Sequence, residues 1–162
     1  MQSFEIFERS VRLEAAPEAV YAFHEDPRNI TRISPRSLVV ERVECTVPAS
    51  AGDRFRLRIR QFGLPLDWTG IWEEAVGPER LVDGAVVSPF RHWRHSHLFR
   101  RDGEGTVMTD RVEYAVRFGP LGRLLDRTLL RLVFLAMFAA RHRATRDYFA
   151  GRKPGEAGQG SP

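Results

Sequence analysis

Cys45 is the only cysteine in a chain of 162 residues, which excludes an intramolecular disulfide and any cysteine-based zinc site. Lysine is just as scarce: Lys153 stands alone, and every other basic side chain is an arginine. Long apolar runs are missing too. The longest, Leu132 to Ala140, covers nine residues, well short of the ~20 that a membrane-spanning helix requires. The amino terminus, Met1 to Glu8, is acidic and lacks a basic stretch followed by an apolar one. No signal peptide is read there, so a cytoplasmic protein without stable membrane insertion is expected. The net charge of +4 raises the question of nucleic acid. Its arginines, however, are spread from Arg9, Arg12 and Arg28 through Arg56, Arg58 and Arg60. A nucleic-acid reader gathers its basic residues on one face, so no such partner is expected.

What is present is an ordinary globular composition, 43% hydrophobic and 28% charged, with enough chain for one well-packed domain. Phe4 to Leu13 alternates as a strand. Pro17 then opens a helix to His24, and Asp26-Pro27 starts a second short one that ends at Ile33 before Ser34-Pro35. Strand patterns follow over Ser37 to Thr46, Asp53 to Gln61, Leu66 to Glu74, Arg80 to Val87, His92 to Arg101 and Thr106 to Phe118. In the second of these, Phe55, Leu57 and Ile59 alternate with Arg54, Arg56, Arg58 and Arg60, one face apolar and one wet. Phe62-Gly63-Leu64-Pro65 and Asp102-Gly103-Glu104-Gly105 read as hairpin turns. A long helix from Pro120 to Phe149 closes the domain, 1–150, and residues 151–162 form a Gly-, Pro- and Ser-rich tail expected to be disordered. This order predicts an α+β fold, a curved seven-stranded antiparallel sheet around one long helix, with a space left between them.

Three segments carry a resemblance: Pro89-Phe90-Arg91-His92-Trp93-Arg94-His95-Ser96-His97-Leu98-Phe99, then Gly105-Thr106-Val107-Met108-Thr109-Asp110-Arg111-Val112-Glu113-Tyr114, then Phe118-Gly119-Pro120-Leu121-Gly122. With the element order, they make the chain similar to the START-like (SRPBCC) superfamily and its polyketide cyclase/dehydrase-type ligand-binding branch, from Phe4 to about Phe149. The resemblance implies the helix-grip fold and a hydrophobic ligand cavity between sheet and C-terminal helix. It also implies that relatives occur alone or fused to a nucleotide-sugar epimerase-like domain.

Side-chain alternation puts Trp93, His95, His97 and Phe99 on one strand face and Met108, Asp110, Val112 and Tyr114 on one face of the next. A hairpin across Asp102 to Gly105 then pairs His97 with Asp110, His95 with Val112 and Trp93 with Tyr114. His97 and Asp110 are read either as a proton-transfer pair, the carboxylate orienting a general base or acid, or as a mutually satisfied buried pair that joins two strands. His95 and His97 also have the spacing of metal ligands, with Asp110 as a third. The remaining ligand would have to come from the long helix, where His142 is the only histidine, and no metal or cofactor is assigned. Trp68 and Trp72 share a face with Gly70 between them, either a slot for a ring-bearing ligand or ordinary core. On the helix, Leu121, Leu125, Leu129, Leu132, Ala136, Ala139 and Arg143 trace the stripe that reads as the inner face. Phe134, Met137 and Phe138 then fall outside, needing cover from the small helices, the Phe62 hairpin or a second copy in a homodimer, or else marking a mouth where the helix touches a membrane or a partner.

These patterns favour a module that binds a small hydrophobic or aromatic molecule, lipid- or polyketide-like. Trp68, Trp72, Trp93, Phe99, Met108, Val112, Tyr114, Leu132 and Ala136 would form its apolar wall, and His95, His97 and Asp110 its polar contacts. One alternative is a cyclase, dehydratase or hydrolase that uses His97 and Asp110. Another is a non-catalytic partner of a nucleotide-sugar epimerase-like protein.

Overall fold

The computed structural model describes residues 4–116 and 129–151. Seven strands, β1 (Glu5–Leu13), β2 (Leu38–Glu44), β3 (Arg54–Gln61), β4 (Leu64–Val76), β5 (Arg80–Val87), β6 (His92–Asp102) and β7 (Gly105–Ala115), form one antiparallel sheet. Its order is β1-β7-β6-β5-β4-β3-β2, so the chain meanders from β2 to β7 and β1 lies beside β7 at the far edge. The sheet stays open, with β1 and β2 as its edges. Between them the chain forms α1 (Pro17–His24), a 3-10 turn (Pro27–Asn29) and α2 (Ile30–Ile33), and α3 (Arg131–Phe149) lies across the concave face. This is the helix-grip arrangement.

Local chemistry explains the elements. Proline at the first turn of α1 gives up an N–H that has no helical partner anyway, while Ala16 O accepts from Val20 N at 3.1 Å. Asp26 accepts the Arg28 N–H at 3.0 Å and so starts the 3-10 turn. The β3–β4 turn is tighter than the four-residue hairpin the sequence suggests. Only Phe62 (φ 50) and Gly63 (φ 83) lie outside the strands, both in the left-handed region that a two-residue turn needs. On the convex face arginines meet carboxylates across strands, as in Arg94 with Glu73 (2.7 Å) and Glu74 (3.1 Å), and Arg60 with Glu41 (3.0 Å).

The register of β6 and β7 is the one expected from alternation: Trp93 opposite Tyr114, His95 opposite Val112, His97 opposite Asp110 and Phe99 opposite Met108. The helix face is not. Phe134, Phe138, His142 and Thr145 are buried, whereas Leu132 is 63% exposed and Ala136 is exposed as well. Phe134 and Phe138 pack on Phe7, and Phe134 also on Tyr114 and Trp93, at centroid distances of 4.8 to 5.8 Å. The sheet itself therefore covers Phe134 and Phe138, and Met137 packs partly buried beside them, so the cover expected from elsewhere is not what these two rings use. Two bulky aromatics bury more area than Leu132 and Ala136, and the true inner stripe carries polar His142 and Thr145, which hides it from an apolar pattern. The stretch 117–128, including Leu121 and Leu125 of the expected stripe and the expected helix start at Pro120, lies outside the described residues. So does most of the expected tail, 152–162.

Candidate functional site

The concave face holds two apolar clusters. One gathers Val11, Leu13, Val20, Phe55, Leu57, Ile59, Trp72, Leu81, Phe99 and Met108; the other gathers Phe7, Val112, Tyr114, Phe134 and Phe138. Between them, strand register lines up a polar row. Asp83 on β5 stands opposite His95 on β6, and His97 on β6 stands opposite Asp110 on β7. His142 reaches in from α3. All five side chains are buried, so each must find partners.

Asp110 is the hub of that row. His95 Nε2–H donates to Oδ1 at 2.9 Å and His142 Nε2–H to Oδ2 at 2.5 Å. His97 Nδ1 lies 2.7 Å from Oδ1 but out of line for a hydrogen bond, leaving it and His142 Nδ1 buried without hydrogen-bond partners. Burial alone would raise Asp110, but the charge of His97 and the donations from His142 and His95 outweigh it and hold the carboxyl well below its usual range. An ionised carboxylate only accepts, which fixes the tautomer of His95. Burial, more than Asp110 can offset, lowers both His95 and His97. Asp83 is the opposite case: burial pushes it up to about 6 against the pull of His97 and Arg141. Its Oδ2 sits 3.7 Å from His95 Nδ1 and 3.9 Å from His97 Nε2, beyond hydrogen-bond length.

This row borders a cavity of about 540 Å³ between the sheet, the ends of α1 and α2, and α3. Leu57, Ile59, Ile33, Val133, Phe134 and Met137 are among its apolar walls, and Trp68, Phe90 and Trp93 make an aromatic corner, with Trp68 and Trp93 5.1 Å apart edge to face. The opposite, polar corner presents His24, Asp83, His95, His97 and Arg141. Burial, with help from the charge of His97, drives His24 down to about 3, while its Nδ1–H donates to Val20 O at 2.8 Å. Arg141 is lowered by burial despite the attraction of Asp110 and Asp83.

Of the residues nominated from sequence, Trp68, Trp72, Trp93, His95 and His97 stand on the cavity wall. Phe99, Met108, Val112 and Tyr114 are buried in the packed clusters, and Asp110 sits behind the imidazoles and not at the surface of the cavity. Leu132 and Ala136 face away. The gap expected over Gly70 is filled: a Cβ there would come within 2.2 Å of the Phe55 ring, which lies across the strand. Sequence reasoning passed over Asp83, His24 and Arg141 and discounted His142. For Asp83 one signal was available, a carboxylate in phase with Leu81 inside the apolar run Leu81-Val82-Asp83-Gly84-Ala85.

The sequence profile of the family "Polyketide cyclase / dehydrase and lipid transport" matches residues 5–150. The chain belongs to this family. Solved structures agree on the fold. A Thermus thermophilus protein is 19% identical over 91% of this chain and 98% of its own, with a TM-score of 0.71. A START superfamily protein from Mycobacterium smegmatis is 10% identical over 92% and 99%, also with a TM-score of 0.71. The di-domain ARO/CYC StfQ of the steffimycin biosynthetic pathway is 15% identical, with a TM-score of 0.72, over 90% of this chain and 51% of that one. No curated protein matches the sequence at a significant level. Family membership makes a ligand-binding or cyclase-type role the general expectation for the domain. No helix among the described residues is long and apolar enough to cross a membrane.

Proposed function

We propose that the protein binds one small, largely apolar, ring-bearing molecule in the space between sheet and α3. The observation that supports this most is the cavity itself. Its volume of about 540 Å³ falls in the range of small-molecule sites, about 300–1,000 Å³, and like them it has apolar walls and a few convergent polar groups. In this reading the ring system lies against Trp68, Phe90 and Trp93, and a polar substituent faces His24, His97 and Arg141. The family description, which joins polyketide cyclisation to lipid transport, suits such a ligand. Native mass spectrometry of the purified protein is the test. A co-purifying apolar molecule, released by denaturation, is the expected result; a cavity that remains empty against a panel of lipids and aromatic polyketides counts against binding.

A second reading is favoured by one observation: His97 lies on the cavity wall with Asp110 directly behind it. That is the placement of a general base or acid oriented by a carboxylate, as a cyclase, dehydratase or hydrolase requires. His97→Ala would then abolish turnover of a bound substrate while changing its affinity by less than about tenfold, near 1.4 kcal/mol.

A further inference from the structure

Three acceptors converge at the polar corner of the cavity. His95 gives its Nε2–H to Asp110, so its Nδ1 presents a lone pair. His97 turns Nδ1 toward the same carboxylate oxygen at 2.7 Å, which leaves Nε2 as its free face. Both free nitrogens look toward Asp83 Oδ2, at 3.7 and 3.9 Å, and all three atoms lie within 4.8 Å of one another. Three potential ligand atoms gathered this closely in a buried place form a ready set for a cation.

We propose that Asp83, His95 and His97 bind a single first-row divalent transition ion, such as Zn2+ or Fe2+, through Asp83 Oδ2, His95 Nδ1 and His97 Nε2. The spacing suits it. Ligand atoms on a tetrahedral ion with bonds of about 2.1 Å stand about 3.4 Å apart, so each imidazole nitrogen closes on Asp83 by a few tenths of an ångström, and the two nitrogens, within 4.8 Å of each other, close by about 1.4 Å at most. Two imidazoles and one carboxylate select this class of ion over Mg2+ or Ca2+, which prefer all-oxygen shells. The sequence pattern suggests Asp110 as the third ligand. The structure puts Asp110 on the far nitrogens instead, where a carboxylate orients the histidines and raises their strength as ligands. Because all three ligands line the cavity, the remaining coordination positions open toward whatever the cavity holds. The site shares His97 with the ligand-binding reading, where a bound ion would face the ligand's polar substituent in place of the bare imidazole, and it excludes the proton-transfer role of His97, whose free lone pair it takes up.

The test uses full-length protein without a histidine tag, stripped with chelator and titrated with Co2+ by visible absorption and with Zn2+ by calorimetry. One ion per chain, bound at micromolar concentration or tighter, is expected. Asp83→Asn and His97→Gln should each weaken it at least about 100-fold, and His92→Gln, on the same strand with its ring stacked on Phe4, should leave it unchanged. Should the ligand variants fail to fold by circular dichroism, proton NMR of the wild-type Co2+ form decides. Exchangeable, hyperfine-shifted imidazole N–H signals from two histidines support the site. Their absence, no saturable uptake by the wild type, or uptake that survives both ligand substitutions overturns it.

Discussion

Asp110 is the side chain on which the polar row depends, because it receives or faces three imidazoles in a buried position. Asp110→Asn keeps the shape but replaces one acceptor with a donor that points at N–H groups. Breaking a buried charged pair on one side costs about 3–5 kcal/mol, and the amide recovers only part of that. A loss of about 2–4 kcal/mol is expected, seen as a lower urea midpoint with unchanged slope; a change under about 0.5 kcal/mol would mean that the row is not a cohesive unit. Gly70 makes a second residue-scale case. A methyl group there collides with Phe55, whose ring packs on Trp72 at 5.1 Å. Gly70→Ala should cost about 1–3 kcal/mol through overpacking, measurable by thermal or urea unfolding, and a neutral result would show that the ring has room to move.

At the scale of elements, α3 separates two readings of one helix. If Phe134, Phe138 and His142 form the inner face, Phe138→Ala should destabilise by about 3–5 kcal/mol. Leu132→Ala, on a residue 63% exposed, should stay within about 0.5 kcal/mol. Urea unfolding of the two variants checks this, and the reverse order would restore the Leu132 stripe as the inner one. The same helix shows where sequence legibility ends. Strand alternation has a period of two and few ways to slip, so the pairing of His97 with Asp110 could be read before any coordinates. A helix that is apolar on most sides offers no such contrast: Leu132 and Leu135 outside compete with Phe134 and Phe138 inside, and the polar residues on the buried side tip the pattern the wrong way. Asp83 escaped for a related reason. Leu81, Val82, Asp83 and Gly84 are all buried on a central strand, so β5 lacks the wet face that would turn the phase of Asp83 with Leu81 into an assignment to the cavity side.

For the molecule as a whole, the open sheet and the long helix α3 across it leave two kinds of interior. Most of the concave face is packed tightly, which is why Phe99, Met108, Val112 and Tyr114 serve the core and not the cavity. The space remains where small helices, β3, β4 and α3 diverge, and its wall draws on residues far apart in sequence, from Phe23 to Arg141. No local pattern announces such a wall, although the element order announces the fold that makes it. The claim on which the functional account rests is that this space admits an apolar guest. Anilinonaphthalene sulfonate fluorescence, compared between the native protein and Met137→Trp, tests it most directly, since an indole at that position on α3 fills the cavity from the helix side. The account predicts saturable one-to-one binding to the native protein and at least tenfold weaker binding to a variant that unfolds within a few degrees of it. Equal binding to both proteins would contradict it.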